Sequence, residues 1–88
     1  MFKVVVSKTF QKQFEGLPEE LRKRIKERLK ELEVDPFSPR SKLDIKLLKE
    51  TNPQKHRLRI GDYRIVYLVE NESVKVIELF TRGRGYRE

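Results

Sequence analysis

No cysteine occurs in the 88 residues, so a disulfide framework, a thiolate metal cluster and a thiol nucleophile are all excluded. There is one histidine, His56, and neither a Walker-type nor a dinucleotide-binding glycine pattern, so a zinc cluster and a nucleotide phosphate loop are unsupported. The carboxylates are scattered among bases, which argues against a two-carboxylate hydrolytic site. No metal and no small-molecule cofactor are therefore expected. No apolar segment approaches the roughly 20 residues that span a bilayer, and Met1 to Ser7 is too short for the apolar region of a signal peptide. A cytoplasmic protein without a membrane partner is expected. With 88 residues there is room for a single domain, 1–88, whose core must come from aliphatics and the eight aromatics.

What the chain has in excess is positive charge, +7 in all, and the excess is local. Residues 1–39 carry nine basic and seven acidic groups, residues 40–64 eight and three, and residues 65–88 four of each. A clustered basic face is the footprint of a polyanion partner, because each phosphate neutralised releases condensed counterions.

The cluster coincides with two strand-like runs. Residues 56 to 60 alternate, placing Leu58 and Ile60 on one face and Arg57 and Arg59 on the other. Tyr63 to Val69 is apolar almost throughout and rich in β-branched and aromatic residues, as in a central strand covered on both faces, with Arg64 its one charge. Gly61-Asp62 between them is a short-hairpin signal. The hairpin brings Arg57, Arg59 and Arg64 together, and the same alternation turns His56 toward the apolar side.

Around this hairpin the remaining elements follow in order. Phe2 to Val6 reads as a strand with Phe2, Val4 and Val6 on one face. Ser7 is a candidate N-cap, and Phe10, Phe14 and Leu17 form the stripe of a helix ending near Gly16. Pro18-Glu19-Glu20 opens a second helix with carboxylates at the positive end of its dipole. Leu21, Ile25, Leu29 and Leu32 are its buried stripe. Its bases and acids from Glu19 to Glu33 nearly cancel, which reads as a solvated amphipathic face. Asp35-Pro36-Phe37-Ser38-Pro39 ends it. Asp44 to Leu48 is a short strand, Thr51-Asn52-Pro53 a turn, and Val74 to Thr81 the last strand after a turn at Glu70 to Ser73. The predicted fold is α+β, in the order β-α-α-β-β-β-β, with two N-terminal helices on one face of a mostly antiparallel sheet and the basic residues on the other.

The chemistry left open is convergent guanidinium. With Arg82 at the end of the last strand, beside the strand bearing Arg64, three arginines (Arg57, Arg64, Arg82) share the open face. A planar guanidinium fork binds two phosphate oxygens at once and stays charged at any relevant pH. Such a trio suits a scissile phosphate and its pentacoordinate transition state. The competing role is structural pairing with Asp62, Glu70 or Glu78.

The run Arg57-Leu58-Arg59-Ile60-Gly61-Asp62-Tyr63-Arg64-Ile65-Val66-Tyr67, the terminal Arg82-Gly83-Arg84-Gly85-Tyr86, the element order and the Leu47-Leu48 strand together resemble the RelE toxins of the RelE/ParE superfamily, especially the archaeal ones. The resemblance covers essentially the whole chain. It implies the toxin of a type II toxin-antitoxin system, a ribosome-dependent, metal-independent endoribonuclease that cuts mRNA in the A site by attack of a ribose 2′-hydroxyl on the adjacent phosphate. By position, Arg57, Arg64 and Arg82 match the family's phosphate-handling and transition-state residues, Arg40 and Leu48 match further archaeal positions, and Lys55 matches a basic residue of the bacterial site. Tyr86, four residues after Arg82, resembles the C-terminal tyrosine that stacks on a base. Lys42, Arg59 and Arg84 are further RNA- or ribosome-binding candidates. The implied partners are a RelB-like antitoxin, the ribosome and mRNA. Two other functions remain open: a ParE-like gyrase inhibitor without nuclease activity, and a non-catalytic RNA-binding domain.

Overall fold

The computed structural model describes residues 1–49 and 51–81. Its elements are β1 (Lys3–Val6), α1 (Lys8–Glu15), α2 (Glu19–Val34), β2 (Asp44–Leu47), β3 (Lys55–Ile60), β4 (Tyr63–Glu70) and β5 (Ser73–Thr81). One five-stranded sheet runs β1-β5-β4-β3-β2, with β1 parallel to β5 and every other pair antiparallel. The expected α+β order is what forms. The most apolar run, β4, is the middle strand, and its residues Ile65, Val66 and Tyr67 are buried on both faces.

Local chemistry sets the element ends. Ser7 caps α1, its hydroxyl accepting from the Phe10 N–H at 3.0 Å. Pro18 takes the cap position of α2, with Glu19 and Glu20 in the first turn. Beyond Val34, Asp35 Oδ1 accepts from the N–H groups of Phe37 (2.9 Å) and Ser38 (3.2 Å), and these bonds hold its carboxyl below the usual range. The β3–β4 turn is made by Gly61, whose φ of 58° costs a residue without Cβ little. The helices cover one face: Phe10, Ile25 and Leu32 join Ile45, Leu58, Ile60, Ile65, Tyr67, Val74, Val76 and Leu79 in the core, with Phe14, Leu17, Leu21 and Leu29 packed against it.

The sheet has a half-covered inner edge. β1 pairs with β5 only at Ser73 to Val76, and a bulge breaks the β4–β5 register between Val66 and Tyr67. Side chains of the first helix and its cap satisfy the backbone there. Ser7 Oγ donates to the carbonyl of Ile77, and the Gln13 amide donates to Leu79 O at 3.0 Å and accepts from Leu79 N at 2.7 Å. One side-chain amide thus does what a neighbouring strand would do. Gln13→Leu leaves both Leu79 groups without a partner and is expected to cost about 2 kcal/mol. For a domain of this size that lowers the melting temperature by about 10 °C. A melt within about 2 °C of wild type would mean that water replaces the amide.

Candidate functional site

The sheet face away from the helices carries the charges, and strand register decides which of them meet. Arg59 lies directly opposite Arg64, and Lys46 directly opposite Arg57. Arg57 and Arg64 are diagonal neighbours on the same face. Like charges directly across a ladder are destabilising, so this hairpin keeps an arrangement that folding alone does not favour. A bound polyanion would relieve it.

Arg57 is nearly inaccessible, 3% exposed. Its Nη1 donates to the backbone carbonyl of Asp44 at 2.8 Å and lies 3.0 Å from Asp44 Oδ1, a carboxylate half open to solvent. This carboxylate partner, from the neighbouring strand, is none of the three acids the competing structural role named. Glu70 is occupied by Lys75, whose ammonium lowers its pKa. A buried guanidinium fixed at one end is a preorganised charge, which costs little reorganisation when negative charge develops beside it. Arg64 stands half-buried next to it, opposite Phe80 of β5.

The other expected residues divide. Arg59 is exposed and donates from Nε to the Gly61 carbonyl at 3.1 Å. Lys55 sits at the far end of β3, opposite Leu68. Leu48 is 1% exposed and acts as an anchor: its N–H donates to Lys55 O at 2.9 Å, and its carbonyl accepts from Thr51 Oγ1 (3.2 Å) and Gln54 Nε2 (3.0 Å). Arg40 closes the end of α2, donating from Nη1 to Asp35 O (3.1 Å) and Ser38 O (2.7 Å) and from Nη2 to Glu31 O (3.0 Å). With Lys42 it stands on the α2 side of the hairpin, apart from the Arg57–Arg64 group. Arg82, Arg84 and Tyr86 lie outside the described residues. Sequence reasoning missed Asp44, Lys46 and Phe80, which only the register brings to the arginines. The alternation of Asp44-Ile45-Lys46 showed which residues share a face but not what they face.

His56 is on the helix side, as its alternation implied. It is buried, stacked 5.2 Å from the Tyr67 ring with Phe37 edge-on at 5.8 Å, and its Nδ1 has no hydrogen-bond partner. Burial holds its pKa below the ordinary 6.5. The unfolded chain therefore takes up a proton at a pH where the folded one does not, so stability is full above about pH 6.5 and falls as the pH drops below it. One proton sets a ceiling of about 1.4 kcal/mol per pH unit. Melting curves between pH 7 and 5 should show the loss, and His56→Phe should flatten them; an equally steep variant would assign the loss elsewhere. Asp35 and Glu70 act in a lower window, below their ordinary 3.8 and 4.5.

Among the described residues no group of three or more His, Cys, Asp or Glu is placed to hold a metal ion, and no helix is long and apolar enough to cross a membrane.

Comparison with known proteins agrees with this geometry. A family model described as the ParE toxin of type II toxin-antitoxin system, parDE, matches residues 4–86. Toxin RelE3 of Methanocaldococcus jannaschii is 36% identical over 72 residues, 82% of this chain and 81% of that protein. Among solved structures, the archaeal RelE-RelB complex from Pyrococcus horikoshii OT3 superposes with a TM-score of 0.82 at 33% identity, covering 96% of this chain and 98% of that one. The RelB-RelE antitoxin-toxin complex from Methanococcus jannaschii gives 0.73 at 30% identity, with 88% of each chain covered.

Proposed function

The chain belongs to the ParE toxin family of type II toxin-antitoxin systems, and from that premise we propose that this RelE-like toxin is a ribosome-dependent endoribonuclease that cuts mRNA in the A site. The observation that carries the reading is the hairpin's like-charged pairing: Arg59 opposite Arg64, with buried Arg57 diagonal to Arg64. A phosphodiester placed against this face meets the Arg59 and Arg64 guanidiniums, with the buried charge of Arg57 behind them.

In the proposed reaction the ribose 2′-oxygen attacks the adjacent phosphorus. The new O2′–P bond forms as the P–O5′ bond breaks, leaving a 2′,3′-cyclic phosphate and a 5′-hydroxyl; the proton lost by the 2′-hydroxyl is balanced by the one the 5′-oxygen takes up. Arg57 and Arg64, with Arg82 by resemblance, stabilise the charge gathering on the phosphoryl oxygens. Lys55 and Tyr86 are assigned by resemblance to the basic and base-stacking roles. The one imidazole is buried on the opposite face, so none of this chain's ordinary near-neutral bases reaches the phosphate. Weak proton transfer fits an enzyme that relies on the ribosome to hold the RNA in line, since positioning alone can supply much of a rate.

The partners that follow are mRNA, the ribosome and, as in the two archaeal complexes, a RelB-like antitoxin. An apolar-floored groove of about 610 Å³ between β1 and α2, lined by Val4, Leu29, Lys23, Lys26, Lys30 and Glu33 among others, suits a helix or strand of such a partner. A cytoplasmic location goes with this role.

The test is codon-level mapping of mRNA ends on programmed ribosomes, with a ribosome-free control. Cuts confined to the A-site codon and dependent on the ribosome are expected. Intact mRNA would remove the nuclease reading and leave inhibition of gyrase, checked by supercoiling.

A further inference from the structure

Arg57 is a buried charge that its direct neighbours in the sheet do not compensate. Across the two ladders it faces Lys46 on β2 and Val66 on β4. The acid that reaches it is Asp44, one diagonal step along β2. Asp44 itself stands directly across from Arg59, which is exposed and bonded to the Gly61 carbonyl. Its carboxylate nevertheless extends past that ladder partner to Arg57 Nη1, at 3.0 Å. A guanidinium in water needs no fixed counter-ion, whereas a buried one does, so the pairing follows burial and not register.

Asp44 holds Arg57 with two oxygens of different kinds. The backbone carbonyl, which accepts from Nη1 at 2.8 Å, is fixed by the strand. The carboxylate is half open to solvent, while the side chain it compensates is 3% exposed. Turning the carboxylate out into water therefore costs the acid little, and the penalty falls on the arginine that loses its counter-charge. Another anion in the same place removes that penalty. A phosphate oxygen is such an anion, and a carboxylate left beside it would repel it.

We propose that the Asp44 carboxylate stands in for the substrate phosphate: it compensates buried Arg57 in the free protein and is displaced into water when a phosphodiester docks, while the Asp44 carbonyl keeps the guanidinium aimed. The inference rests on the reading of this face as the phosphodiester site. Asp44 is then a positioning residue with a removable charge. It lets the chain fold around a buried arginine in the absence of RNA, and it makes entry to Arg57 an exchange of one anion for another. Glu78, opposite Val66 on the same face, offers a control for charge alone.

The test uses the full chain as wild type, Asp44→Asn and Glu78→Gln. The asparagine keeps the backbone carbonyl and the shape of the side chain and removes the charge. Inorganic phosphate added to the wild type at constant ionic strength should move the side-chain carboxyl carbon resonance of Asp44 toward that of a solvated aspartate, and saturate. A resonance that stays still overturns the exchange. Affinity for programmed ribosomes carrying an uncleavable 2′-deoxy A-site codon is expected to tighten about 5- to 10-fold in Asp44→Asn and less than about twofold in Glu78→Gln. Single-turnover cleavage of the unmodified codon at subsaturating ribosomes should rise by the same factor as the affinity. Equal tightening in both variants would reduce the effect to net charge and overturn the proposal. Weaker binding by Asp44→Asn would make the carboxylate a structural clamp on Arg57, and a lower rate at saturating ribosomes would make it a proton acceptor; either result overturns it. Failure of the nuclease reading is seen separately, as an Asp44 response to phosphate in a wild-type protein that leaves the codon intact.

Discussion

On the proposed nuclease reading, Arg64→Ala is expected to lower the rate of mRNA cleavage on saturating programmed ribosomes by about 10²- to 10³-fold, a loss of about 3 to 4 kcal/mol of transition-state stabilisation, while its melting temperature stays near wild type. The size of the effect follows from where the charge sits. Arg64 projects from β4, the middle strand of the sheet, with its stem half-buried between Arg59 and Phe80. A guanidinium on so rigid a strand is already aimed when the phosphoryl oxygens gain charge. Its own folding contribution is small, since removing one of two directly opposed arginines relieves repulsion and offsets the packing lost with the stem. Arg64→Lys keeps the charge but not the two-pronged fork, so it should recover only part of the rate. Single-turnover cleavage separates this from weakened docking. A wild-type rate for the alanine variant would take Arg64 out of the transition state.

Arg57 contrasts with it. Its side chain is buried and bonded to Asp44 through both a backbone carbonyl and a carboxylate. Removing it would perturb the β2–β3 edge along with any catalysis, because the Asp44 carboxylate would lose its counter-charge. A lost activity in Arg57→Ala is therefore ambiguous between catalysis and folding.

This difference between two arginines seven residues apart marks the boundary of what the sequence discloses. Period-2 alternation placed Arg57 on the face opposite Leu58 and Ile60, the Gly61-Asp62 turn brought Arg64 beside it, and the apolar run from Tyr63 identified the middle strand, because those signals are local. The strand boundaries shifted by a residue or two, as ladder ends do: β3 begins at Lys55 and β5 at Ser73. Burial depth on the open face was not legible. Alternation distinguishes inside from outside, yet Arg57 and Val66 both point away from the helices and are 3% and 2% exposed. Nor was Arg40 legible as the closure of α2, since its three carbonyl partners depend on how the chain turns through Pro36 and Pro39. The pairing of Arg57 with Asp44 across two strands required the register, which no local pattern encodes.

That same turn after α2 is held by the side chain whose loss should unfold the protein most. Tyr67→Ala is expected to cost about 3 to 5 kcal/mol, a large share of the roughly 4 to 13 kcal/mol that holds a domain of this length together. Tyr67 is wholly inaccessible on the middle strand, and its hydroxyl donates to the Pro36 carbonyl at 2.7 Å. Burial raises the pKa of that hydroxyl well above its ordinary 10, so it keeps its proton, and with it the bond, across the physiological range. The ring stacks on His56, His56 meets Phe37 edge-on, and Phe37 meets Phe2 at 5.8 Å. One side chain therefore ties the sheet to the loop that positions Arg40 and Lys42. Tyr67→Phe separates the two contributions: it keeps the stack, leaves the Pro36 carbonyl without a donor, and should cost only about 1 to 2 kcal/mol. Urea unfolding of both variants reads the split. If Tyr67→Ala loses less than the phenylalanine variant is expected to lose, the loop is held by Arg40 and the Asp35 turn instead, and the ring chain is packing without consequence for that loop.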